Sequence, residues 1–232
     1  MPSSPSPAPD VTIAPPLAVR AVGGFGTAIL GGAALGAAAW FADGLAYPLG
    51  LLIPANSIGV WLGAAFILGA SARTLPTGAL RGVIGLLSAV AAYYLLIAIF
   101  GQGVRAIGAS HAATIWGAVA LIAGPIMGGA GAVWRHAEGW PRAIGVAVLA
   151  SALFAEGLVF GGPRLIHVDE LVYDPGAFLF AAEMILALIL PWILLRRGER
   201  LRGYAATVAL AVVAALAIGP VTTIVRGLAD RF

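Results

Sequence analysis

Two carboxylic acids interrupt long apolar stretches of this chain: Glu156 in VLASALFAEGLVFGG and Glu183 in AFLFAAEMILALILP. An ionised carboxylate in hydrocarbon is costly unless it faces protein or water, so each is a candidate for chemistry. Read as helices, the two segments place Glu156 and Glu183 about 8 and 10 Å below the same boundary, at 1.5 Å per residue. The segments are consecutive and antiparallel, joined by GPRLIHVDELVYDP, which predicts neighbours whose carboxyls share one hollow. Such a pair can carry a proton or grip a cation. The alternative is purely structural: two interhelical hydrogen bonds worth about 1 kcal/mol each. The apolar segments offer no Lys or Arg at that depth to neutralise them.

A second set of side chains reaches a comparable level from the same side: Asn56, Trp61, Tyr93, Tyr94 and Trp116. Indole and phenol rings combine a broad apolar face with one polar handle, which suits a pocket for a small organic solute. The competing reading is gap filling between helices. Other chemistry is poorly served. Cysteine and lysine are absent, which excludes thiolate metal sites, cysteine nucleophiles, Schiff-base lysines and the lysine of a phosphate-binding loop. His111, His136 and His167 fall at three separate segment ends with no shared metal-ligand spacing. No enzymatic activity, no cofactor and no metal are therefore expected.

The elements that must carry these residues follow from composition. Of 232 residues 61% are apolar and 10% charged, with a mean hydropathy of +1.00. A soluble globule averages about 45 to 50% apolar, so the fold class is all-α, a polytopic transmembrane helical bundle. Residues 1–18, rich in Pro and Ser, read as a disordered tail, and 19–232 as a single transmembrane domain. About seven spans are expected, at 21–42, 51–71, 78–100, 110–134, 142–161, 176–195 and 204–226, since roughly 20 helical residues cross the hydrocarbon. Pro48 and Pro54 make the second the odd one, a re-entrant or interfacial stretch leading into a shorter helix. Arginine sets the orientation. Arg20, Arg73, Arg81, Arg135, Arg142, Arg196, Arg197, Arg200 and Arg202 fall on one side, against Arg105, Arg164, Arg226 and Arg231 on the other, which predicts the N-terminus inside and the C-terminus outside. Because the arginines sit at segment ends, the pI of 9.8 reflects membrane-topology signals, with the lipid bilayer and no nucleic acid as partner.

Small residues four apart let helices approach closely in a bilayer. Gly24, Ala28, Gly32 and Gly36 make such a ladder in the first span, and Gly124 and Gly128 another in the fourth. Packing within one bundle is the plain reading; docking of a partner subunit is the other. In the latter respect the first span resembles the substrate-binding components of energy-coupling-factor transporters, and the resemblance implies that this ladder would contact a coupling subunit. A wider resemblance rests on Asn56, Trp61, Ala65-Phe66, Gly69 and Ala72-Arg73, then Gly78, Gly82, Gly85 and Tyr93-Tyr94, then Gly124-Pro125, Gly128 and Ala155-Glu156. Over residues 25–160 the chain is similar to a family of actinobacterial integral membrane proteins known only by a domain-of-unknown-function label. That implies an all-helical membrane protein and no stated activity. The expectation is binding or transport of a small solute or cation through an outward-facing polar and aromatic cavity. The alternative is a noncatalytic accessory or scaffold subunit of a membrane complex.

Overall fold

The computed structural model of the protein describes residues 17–45, 57–100, 108–161 and 175–229. Among them the chain is entirely helical, with no strand: α1 (Leu17–Gly44), α2 (Ile58–Ala70), α3 (Leu75–Phe100), α4 (Ala109–His136), α5 (Trp140–Glu156), α6 (Pro175–Leu194) and α7 (Arg200–Ala229). A π-helical turn, Gly157–Gly161, continues α5. Each of the seven expected spans coincides with one helix to within a few residues, apart from the first part of the second. Apolar sequence of this kind becomes helix because only a helix satisfies every backbone N–H and C=O within its own segment. Among the described residues four helices are long and apolar enough to cross a membrane: Gly24–Gly44 within α1, then α3, α4 and Trp140–Val159.

Helix α2 is shorter than a span. Its 13 residues extend about 20 Å, against about 30 Å of hydrocarbon. Ser57 caps its start in an extended conformation, and the Ser57 side chain accepts a hydrogen bond from the Val60 amide. Within the expected 51–71 element the described helix runs over Ile58–Ala70; residues 51–56, with Pro54 and Asn56, and Pro48 before them lie outside the described residues. Prolines inside helices are absorbed locally. Pro191 removes one bond from α6, and the Tyr204 hydroxyl of α7 donates to the Leu188 carbonyl nearby at 2.9 Å.

The short helix sits at the centre, packed against α3, α4 and α5. Glycine makes that closeness possible. A Cβ at Gly69 would strike the Gly128 carbonyl, one at Gly82 the Gly124 carbonyl, and one at Gly131 the Phe66 carbonyl. Backbones thus touch where larger residues would hold them apart. Phe66, fully buried, fills the remaining space with Leu149, Leu153 and Ala187. The first-span ladder is used in the same way. A Cβ at Gly32 would meet the Gly85 carbonyl, one at Gly36 the Ala89 carbonyl, one at Gly24 the Arg81 guanidinium, and Ala28 is fully buried. Gly24, Ala28, Gly32 and Gly36 therefore seat α1 on α3 of the same chain. The face that the docking reading would give to a partner subunit packs here against α3.

The arginine-rich end is tied together by polar contacts. Buried Glu199 accepts from the Gly139 amide at 2.7 Å and pairs with Arg142 at 3.8 Å. His136 Nε2 bonds with the Ala72 carbonyl at 2.7 Å, and Trp134 Nε1 donates to the Leu194 carbonyl at 3.2 Å. Gly139 has φ +66, a left-handed conformation that favours glycine, and so turns the chain from α4 into α5 beneath Glu199. The opposite end, where α2 and α6 begin and α3 and α5 finish, holds the acids and the rings.

Candidate functional site

Three helices converge at the first turn of α2. The leading amides of a helix have no partner within it and carry the positive end of its dipole. Glu156, the last residue of α5, reaches this point: its Oε1 accepts from the Ile58 amide at 2.9 Å. Glu183, from the third turn of α6, arrives from the other side, and the Ser57 hydroxyl donates to its Oε1. Between them stands Gly59. A Cβ there would lie 3.2 Å from Glu156 Oε2 and 3.3 Å from Glu183 Oε1, so both carboxyls face the same small space. A methyl of Leu153 closes it from a third side.

Local sequence explains why α6 comes close enough. A Cβ on Gly157 would collide with Met184, the residue after Glu183, and would approach the Phe180 carbonyl to 2.8 Å. Glycine at 157 lets the two backbones meet one residue beyond Glu156. The π-helical turn begins at the same residue; insertions of this kind re-aim side chains and recur at functional sites. Glu156, Glu183 and Ser57 are each more than nine-tenths buried. Two carboxylate oxygens, Glu156 Oε2 and Glu183 Oε2, are buried with no hydrogen-bond partner among the described residues. Buried polar atoms in that condition are rare, and point to something else that belongs beside them.

The aromatic residues form a separate compartment on the far side of the same turn. A cavity of about 330 Å³ is lined by Trp61, Tyr93, Tyr94 and Trp116, together with Asp43 and aliphatic side chains of α2, α3 and α4. Tyr93 stands edge-on to both neighbours, at 6.4 Å and 75° from Trp61 and at 5.0 Å and 82° from Tyr94. Its hydroxyl donates to Asp43 at the end of α1. A second hollow of about 430 Å³ shares Asp43, Tyr93 and Tyr94 and opens towards Trp40 and the start of α4. Neither hollow is lined by Glu156 or Glu183. The acids and the rings thus form two adjoining groups, and Ile58 belongs to both: its amide holds Glu156 and the residue lines the aromatic cavity.

A family model described as a family of unknown function (DUF6518) matches residues 15–226. The chain belongs to DUF6518. The match extends beyond residues 25–160 and takes in α6 with Glu183, so both acids of the DUF6518 site fall inside the family region. No curated protein and no solved structure matches the chain. Of the residues singled out from sequence, Glu156 and Glu183 come together at α2, Trp61, Tyr93, Tyr94 and Trp116 come together in the cavity, and Asn56 lies outside the described residues. Four contributors to the DUF6518 site were missed. Asp43 reads in sequence as an acid at the end of a span, Gly59 and Gly157 as ordinary membrane glycines. Ser57 did carry a signal, since a serine directly before an apolar helical run is an N-cap.

Proposed function

We propose that this DUF6518 protein is a multi-pass protein of a bacterial cytoplasmic membrane, with seven membrane-embedded helices and its arginine-rich end in the cytoplasm. It binds or moves a small solute or cation. Glu156 and Glu183 take up and release a proton or cation, and Trp61, Tyr93, Tyr94 and Trp116 enclose the solute. The observation that carries this reading is the meeting of two buried carboxyls from different helices at the first turn of a third, each with one oxygen left over. The positive end of α2 supports about half a unit of negative charge. A second carboxylate beside it calls for a counter-charge, and a proton on one of the acids or a small cation beside them supplies one. The Ser57 hydroxyl and the Ile58 amide hold the remaining oxygens in place, so uptake needs no rearrangement of the carboxyls.

The experiment is flux through proteoliposomes that enclose a pH-sensitive dye, under imposed gradients of Na⁺, K⁺ and Mg²⁺ and a panel of small amines. The parent protein is expected to move protons with at least one of these. Glu156→Gln and Glu183→Gln should each lower that flux at least tenfold, with unchanged helical content and melting temperature. Equal flux through the parent and both variants, or no flux through the parent above empty vesicles, overturns the proposal.

A further inference from the structure

The chemistry of the aromatic cavity names a class of ligand. Its concave corner is built from three rings at steep angles, with Tyr93 shared between the Trp61 and Tyr94 pairs, and Trp116 on a further wall. Ring faces carry negative quadrupole density and attract a cation within about 6 Å of the centroid, most strongly for indole. Among the described lining residues Asp43 supplies a formal negative charge, and it accepts a hydrogen bond from the Tyr93 hydroxyl. Among the described residues the remaining lining is aliphatic, including Ile58, Leu62 and Val90, with no arginine that would repel a positive charge or hold an anion.

Inorganic cations fit this lining poorly. Mg²⁺ and Ca²⁺ require about six or more oxygen ligands in close order, whereas here one carboxylate and two phenols stand among hydrocarbon and rings. An alkylammonium spreads its charge over carbon-bound hydrogens and sheds water readily, so it gains from both the rings and the acid. The volume of about 330 Å³ lies at the lower end of the roughly 300 to 1,000 Å³ usual for small-molecule sites.

We propose that the cavity bounded by Asp43, Trp61, Tyr93, Tyr94 and Trp116 binds a small organic ammonium ion, either a free amine or the ammonium headgroup of a lipid. This deepens the function proposed above and rests on it in taking the cavity as the solute site. Binding draws the cation against the indole of Trp61 and the edge-to-face tyrosines while Asp43 balances its charge.

The test is equilibrium binding to the purified full-length protein in an uncharged detergent, followed by tryptophan fluorescence and by calorimetry. The probes are choline, tetramethylammonium and the neutral choline isostere 3,3-dimethylbutan-1-ol. Choline and tetramethylammonium are expected to bind at least about tenfold more tightly than the alcohol, a ratio within reach of one or two cation–π contacts. Trp61→Leu and Asp43→Asn should each weaken choline about tenfold, and Trp61→Phe should recover part of the loss. A short-chain phosphatidylethanolamine serves as the lipid arm: binding tighter than ethanolamine assigns the headgroup as the source, and weaker binding assigns the free amine. Equal affinity for choline and the alcohol, or no binding by any cationic probe, overturns the proposal. The isostere comparison is made on the unaltered protein and does not depend on how well a variant folds. Equilibrium binding also stands apart from flux, so silent proteoliposomes leave this result readable, and the reverse.

Discussion

Two glycines of α4 allow a sharp test of how the bundle is held together. Gly117 has no described atom within 4 Å of where a Cβ would stand, while at Gly128 a Cβ would collide with the Gly78 carbonyl and lie 2.9 Å from Gly82 Cα and 3.0 Å from the Gly78 carbonyl carbon. Ordinary contact begins at 3.4 Å, so α3 would have to recede by half an ångström or more, and the obstructing atoms are backbone with no rotamer to change. Replacing glycine by alanine inside a helix stabilises by about 0.5 to 1 kcal/mol through lost backbone freedom. At Gly117 that gain should appear unopposed. At Gly128 it is set against overpacking of about 1 to 3 kcal/mol, leaving Gly128→Ala up to about 2.5 kcal/mol less stable than the parent. The same chemical change on one helix is thus expected to act with opposite signs. Reversible unfolding in mixed micelles, followed by circular dichroism, measures both. A Gly128→Ala protein as stable as Gly117→Ala would refute the account of α3 and α4 in backbone contact.

Two further substitutions probe the site and the first helix. Ser57→Ala removes both the cap of α2 and the donor to Glu183 and should cost about 1 to 3 kcal/mol in the same unfolding assay, with Ser57→Thr closer to the parent; an unchanged midpoint for the alanine variant would argue against the Ser57–Glu183 bond. Gly32→Leu should prevent α1 from seating on α3, so that the chain migrates as an aggregated or protease-sensitive species on gel filtration, whereas Gly26→Leu, at a position open to 4 Å, should migrate as the parent does; a well-folded Gly32→Leu protein that had lost only a co-purifying partner would restore the docking role of the ladder.

Hydrophobic length placed the helices well because a backbone in hydrocarbon has so few ways of satisfying its hydrogen bonds. The meeting of Glu156 and Glu183 at α2 has a related root in the sequence: rise per residue is constant, and consecutive antiparallel helices tend to adjoin. Facing direction was not readable. Whether a carboxyl points to a neighbour or to lipid depends on rotation about the helix axis, which Gly157 settles by admitting Met184 and with it α6. The role of Ser57 and Gly59 arises only when α2 starts at the level of the acids, and the two prolines that precede it obscure where a helix can begin. Asp43 illustrates a different limit. An acid at a span end satisfies the topology pattern whether it faces water or a tyrosine, so its bond with Tyr93 leaves no trace in the local sequence.

Ile58 stands at a crossing of two sites. Its peptide N–H is a ligand of one and its side chain a wall of the other, with a distance of less than one residue between them. A guest that pushed this residue aside would lengthen the bond to Glu156, and neutralising Glu156 would in turn free the residue to shift. Thermodynamic reciprocity then requires that whatever one occupant does to the affinity of the other is returned in equal measure. In this architecture the two compartments are joined by a single amide, with no long relay of side chains needed to carry the message.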